Sequence, residues 1–341
     1  MHRNNFGFLR LLFATLVIVS HSAELIDGNR SREPLTNLFG VLTFGELAVD
    51  GFFLISGYLV VQSFERSDST LNYLMKRIRR IYPGFLVAYF VCVFVIAPWV
   101  GNDLATMSFG DLASVIRKAL FLREPPKVYG FAGLPYPPLN GAMWTIHEEF
   151  RCYLLVILFG LIGIYRNKWI LALMTTALLA LMEMKFDPGF SEVIGDPYSI
   201  VRFLGIFCVG SLFYQLQNSI PYNTAIAAAV TVALAFCLYN SIIAESAFAV
   251  LGGYLLFWFA LHLKSTVLQT INGKDDISYG VYLYAWPVQN AIIFFFGIKS
   301  PGTLTLLTLP LVYIIGYASW RFIERRFVRN KMTGPLATPK P

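Results

Sequence analysis

Ten mostly apolar stretches recur along this chain, at roughly 7–23, 39–62, 80–100, 143–165, 169–183, 199–217, 223–241, 247–263, 277–297 and 304–322. A helix needs about 17–25 residues to cross a bilayer core, and all but the short fifth stretch are that long. Inside hydrocarbon every backbone N–H and C=O needs an internal partner, which leaves only helices and closed barrels. Continuous apolar runs of this length predict helices. The expected fold is therefore all-α: a polytopic membrane bundle of about ten transmembrane helices over residues 1–330, with a disordered tail at 331–341. Composition agrees. The chain is 56% hydrophobic and 14% charged, against about 25% charged in soluble domains.

The placement of Lys and Arg sets the expected orientation. With the N-terminus in the cytoplasm, 17 Lys and Arg residues fall on the inner side and eight on the outer, and Arg151 and Arg202 lie within stretches. An even number of crossings returns the basic C-terminus to the cytoplasm. The formal charge of +7 is then topological, and no nucleic-acid partner is expected. The expected location is the cell inner (plasma) membrane. The start resembles a signal peptide, with a basic end, an apolar run and Ser-His-Ser-Ala. Cleavage near Ala23 would discard a helix that carries chemistry, so retention is expected. Cys92, Cys152, Cys208 and Cys237 all sit in apolar runs without C-x-x-C spacing. They indicate neither a disulfide framework nor a metal site. Nothing in the sequence speaks to the oligomeric state.

Within the first stretch, Arg10 and His21 stand eleven positions apart. Eleven steps of about 100° end only ~20° beyond three turns, so both lie on one helix face, ~16 Å apart along the axis. A charged pair aligned inside an apolar helix is costly and points to function. Glu24 follows His21 by one turn, close enough to orient or charge the imidazole. The other histidines, His2, His147 and His262, are less telling.

Three further clusters stand out. Lys76 to Pro83 reads KRIRRIYP, immediately before the third stretch. It is either a positive-inside anchor or a pocket for phosphates gripped by guanidinium groups. Arg10 enters from the same side. Ala48 to Tyr58 carries Asp50, Gly51, Ser56 and Gly57, small residues that allow close helix approach beside an ionisable group. Trp144 to Glu149 reads WTIHEE at the outer mouth of the fourth stretch. There Glu149 is drawn inward, where it could polarise an imidazole or a sugar hydroxyl. The long outer connection at 101–142 contains PPKVYGFAGLPYPPLNG. Its prolines and glycines argue against helix, and its tyrosines suit an interface or a sugar-stacking surface.

Arg10-x10-His21, FFLISGY, KRIRRIYP, WTIHEE, SYGVYLYAWPV at 278–288 and WRFIE at 320–324 occur in this order. Together they resemble the acyltransferase-3 family of integral membrane acyltransferases, from about residue 5 to residue 326. The resemblance implies about ten membrane helices and transfer of acyl groups, commonly acetyl, from a coenzyme A thioester to hydroxyls, mostly of carbohydrates. By position it implies His21 as the essential histidine and Arg10 as its partner. Arg77 and Arg80 take the place of the basic motif that meets the donor, and Ser56 and Gly57 that of the Ser-Gly motif. Trp144 and Glu149 match a Trp-Ser-Leu-x-x-Glu pattern, with Thr145 replacing the serine. Ala285 stands where relatives often have histidine, and no proline follows Glu324. Many relatives add an outward hydrolase-like C-terminal domain. This chain ends about 20 residues after its last stretch, so a separate protein is expected to do that work.

The expected mechanism docks acetyl-coenzyme A, a co-substrate and not a bound cofactor, on Arg77, Arg79 and Arg80, near Ser56 and Gly57. Its pantetheine arm runs along the Arg10–His21 face. His21 acts as general base on an acceptor hydroxyl held by Trp144, Asp50 and Glu24, and Glu149 or Glu24 stabilises the imidazolium. The competing reading is a multi-helix transporter using Arg10 and His21 as a substrate or proton path.

Overall fold

The computed structural model describes residues 4–127, 129–184 and 196–329. Among them there is no β-strand, only an isolated bridge between Gly130 and Pro138. The helices are α1 (Phe6–Asp27), α2 (Phe44–Glu65), α3 (Thr70–Trp99), α4 (Trp144–Leu161) and α5 (Lys168–Glu183), then α6 (Pro197–Gln215), α7 (Thr224–Cys237), α8 (Ala244–His262), α9 (Ser278–Phe296) and α10 (Pro301–Val328). Of these, α1, α2, α3, α6, α8 and α10 are long and apolar enough to cross a membrane. The other four occupy the remaining apolar stretches. The chain is a polytopic membrane helix bundle. The tail expected at 331–341 lies outside the described residues.

Local chemistry sets the helix ends. Gly28 closes α1 at φ +70° and returns its N–H to the Glu24 carbonyl, a left-handed cap that only glycine adopts without strain. Thr43 opens α2 with a capping box: its hydroxyl accepts from the Glu46 N–H, and the Glu46 carboxylate accepts from the Thr43 N–H. Ser69 caps α3 by accepting from the Asn72 N–H. Helix α3 therefore begins ten residues before the apolar stretch at 80. Lys76 to Arg80 lie inside the helix and not on a flank ahead of it. Lys and Arg are good helix formers, and apolarity alone cannot mark the start of a helix whose first turns are charged.

Helices α1 and α2 run antiparallel. Phe6 meets Tyr58 at 5.7 Å between ring centroids, a Cβ on Gly51 would strike the Phe13 ring, and one on Gly45 would touch Ser20. Helix α2 also lies backbone to backbone against α6. A Cβ on Gly57 would fall 2.0 Å from the Phe207 carbonyl oxygen, and one on Gly210 would fall 2.1 Å from that of Leu54. Small residues permit this approach between membrane helices. Gly57→Ala is expected to cost about 1–3 kcal/mol by overpacking, read as a lower melting temperature in detergent. Gly302→Ala, with nothing within 4 Å, should melt like the wild type. Equal melting of the two variants would mean that the contact is not tight.

The connection at 101–142 contains a helix at Phe109–Leu120, and its Pro-rich part folds over one end of the bundle. Phe131 is fully buried there. The Trp286 indole donates to the Pro138 carbonyl (3.0 Å), and the Asn290 amide donates to that of Tyr136 (3.0 Å).

Candidate active site

Two cavities open along α1. The larger, about 560 Å³, is lined by Arg10, Ser56, Glu149 and Asp276 together with the basic run of α3. The smaller, about 190 Å³, is lined by His21, Glu24, Arg30, Trp144, Arg202 and Trp286, among others. A single amphipathic face of α1 thus serves both, with Arg10 in the basic cavity and His21 in the histidine cavity. The cavities have three lining residues in common, Val49, Thr145 and Tyr282.

In the basic cavity, Asp276, just ahead of α9, gathers two arginines from different helices. Arg80 Nη2 lies 2.6 Å and Arg10 Nη2 3.1 Å from Asp276 Oδ2. Asn272 and Ser278 donate to its other oxygen at 2.9 and 2.6 Å. Burial alone would raise this carboxyl; Arg10 and Arg80 outweigh it and hold it well below the usual carboxylate range. Arg80 also faces Glu324, 3.8 Å away and almost fully buried. That glutamate closes a widened π-type turn at Trp320–Glu324, where Trp320 donates its indole N–H to Asp275 (2.9 Å). Arg77 is held differently. It donates to Ser63 (3.0 Å) and lies over the rings of Tyr73 and Tyr153 at 5.8 and 5.7 Å. Arg79 and Lys76 complete the basic lining.

Ser56 and Glu149 are brought together in this cavity. The Ser56 hydroxyl donates to Glu149 Oε1 at 2.7 Å, and the Tyr153 hydroxyl donates to the same oxygen at 2.6 Å. This corrects one expectation: Glu149 lies with the basic cluster, one turn of α4 beyond Thr145, and does not line the cavity of His21. Gly57 is also corrected. It does not line the basic cavity, because one residue on from Ser56 the helix turns it into the α6 contact.

In the histidine cavity, the His21 ring meets Trp286 edge to face, centroids 4.9 Å apart. Trp286 stands one turn of α9 beyond Tyr282. Glu24 shares this cavity but faces Arg30 at 3.6 Å, and Arg30 donates to Glu46 at 2.6 Å. Trp144 is half exposed at the mouth and packs 5.5 Å from Phe203. Asp50 needs correction as well. It is fully buried, lines neither cavity and accepts from Arg202 at 2.7 Å. A substrate meets Arg202, which Asp50 and Glu245 position. Ala285 packs against Ala14 and Ile18 of α1 and faces neither cavity.

Sequence reading missed Asp276, Tyr282, Trp286 and Arg30. An acid bordering an apolar stretch on the same side as Arg10 and the α3 cluster was a signal for Asp276. The others carried none beyond their aromatic or charged nature.

A family model described as an acyltransferase domain matches residues 3–321. The chain is 28% identical over 337 residues to an O-acetyl transferase of Shigella phage Sf6, covering 96% of this chain and 97% of that protein. It is also 28% identical over 367 residues to Nodulation protein 10 of Rhizobium leguminosarum bv. viciae, covering 95% and 93%. No solved structure matches the chain.

Proposed function

This chain belongs to the acyltransferase-3 family, and from that premise we propose that it is an inner-membrane O-acetyltransferase that moves acetyl from coenzyme A to a hydroxyl of a cell-surface or exported carbohydrate. The observation that carries the reading is the division of labour along α1, with guanidinium groups in one cavity, an imidazole in the other, and a shared wall.

Arg77, Arg79 and Arg80 take the donor's phosphates on the cytoplasmic side, where charge-assisted hydrogen bonds are strongest. A cavity of about 560 Å³ is of ligand size. Ser56, Glu149 and Tyr153 line the path of the pantetheine arm. Neutral His21 takes the proton of the acceptor hydroxyl, whose oxygen attacks the thioester carbonyl. The C–S bond breaks, and the imidazolium returns the proton to the departing thiolate. Glu24 and Glu46 share the cavity with His21 and favour the cationic ring. Trp144 and Trp286 offer aromatic faces of the kind that sugars stack on.

Protein in sealed vesicles with labelled acetyl-coenzyme A tests the reading: label on a polysaccharide supports it, and label carried across unmodified favours a transporter. Arg77→Ala is expected to raise the donor KM roughly tenfold to a hundredfold without lowering the melting temperature, since Arg77 makes no ion pair among the described residues. An unchanged KM would remove Arg77 from the donor site.

A further inference from the structure

The wall between the cavities has its own construction. Val49 comes from α2, Thr145 from α4 and Tyr282 from α9, and these three line both cavities. The Tyr282 hydroxyl donates to the Ala142 carbonyl at 2.9 Å and lies 2.6 Å from Thr145 Oγ1. The bond between Thr145 and Tyr282 fixes the ring across the passage. On α9, Trp286 at His21 is one turn to one side of Tyr282 and Ser278 in the basic cavity is one turn to the other, ~6 Å each way. On α4, Thr145 stands one turn from Glu149. Whatever passes from the arginines to His21 must pass these three side chains.

We propose that Val49, Thr145 and Tyr282 form a neck that sets the width of the acyl group the enzyme transfers. The inference rests on the donor reading above. A thioester reaching His21 from the basic cavity leads with its acyl group, so that group meets the neck first. A straight chain is no wider than the pantetheine arm that follows it. A chain branched beside the carbonyl is wider, and it meets the Thr145 methyl and the Val49 methyls. Width and length therefore separate. The neck discriminates butyryl from isobutyryl, which have the same atoms, whereas a limit imposed by the volume beyond the neck would treat the two alike.

Thr145→Ser removes one methyl and keeps the hydroxyl that bonds Tyr282. Val49→Ala widens the opposite wall and serves as a second variant with no polar role. The purified protein is given equal butyryl- and isobutyryl-coenzyme A with polysaccharide extracted from the cells that make it, and the ester-bound acids are released and quantified. The wild type is expected to favour butyryl. Each variant should raise the isobutyryl-to-butyryl ratio about tenfold, the lower bound for one methyl group in an apolar pocket. A wild type that uses both acids equally, or a ratio unmoved in both variants, overturns the neck while the acetyl reading stands. A wild type that uses no coenzyme A thioester at all overturns both.

Discussion

His21→Ala is expected to reduce acyl transfer about 10²–10⁴-fold, the contribution of a positioned general base, while the protein still inserts and melts like the wild type. The second half of that expectation comes from where the ring lies. It already faces a cavity and touches Trp286 by its edge, so truncation enlarges an existing space and leaves no sealed void. His21→Gln sharpens the test, because an amide keeps the bulk and the hydrogen bonding but cannot accept the proton. Both variants should bind the donor with little change in KM, since the arginines that take its phosphates belong to the other cavity. Full acetylation of the polysaccharide by either variant would remove His21 from the chemistry.

Arg80→Ala is expected to be the most destabilising single change near the site. Arg80 bonds Asp276 at 2.6 Å and is the cation nearest Glu324, which is 1% exposed. Removing one partner of a buried ion pair leaves an uncompensated charge and costs about 3–5 kcal/mol. Arg10 still neutralises Asp276 in the variant, so the penalty falls on Glu324. Arg80→Ala with Glu324→Gln should therefore recover part of the melting temperature that Arg80→Ala loses. Because Asp276 is held below the usual carboxylate range, its contribution is complete above that range and fades only as the pH falls through the depressed value. The loss should accordingly be the same throughout neutral pH. If Arg80→Ala melts like the wild type, the cluster does not hold α1, α3 and α9 together.

The parts of this architecture that follow local rules were readable in advance. Apolar length located the helices, and helical periodicity put Arg10 and His21 on one face, because both depend only on neighbouring residues. The basic run was seen, but its charges read as a flank because hydropathy cannot tell a charged flank from a charged helix lining a cavity. What could not be read are pairings between distant positions. Arg10 meets Asp276, Glu149 meets Ser56, and Asp50 meets Arg202, each across more than 90 residues. Gly57 shows the same limit from the other side. A Ser-Gly pair suggested one shared role, yet one 100° step separates a cavity-lining hydroxyl from a helix contact. The division into two chambers came from the arrangement of α2, α4 and α9, which no single stretch encodes.

The distance between the two chambers also bears on turnover. Arg10, Lys76, Arg77, Arg79 and Arg80 line the basic cavity against only Glu149 and Asp276, and His21 lies ~16 Å further along α1. A donor gripped there is held by a handle that the reaction leaves untouched. Such a grip binds starting material and spent carrier alike, so the deacylated carrier leaves no more readily than the loaded one arrived. The two forms then compete for one berth. The pace of surface decoration follows the ratio of loaded to empty carrier in the cell and not the abundance of the loaded form alone.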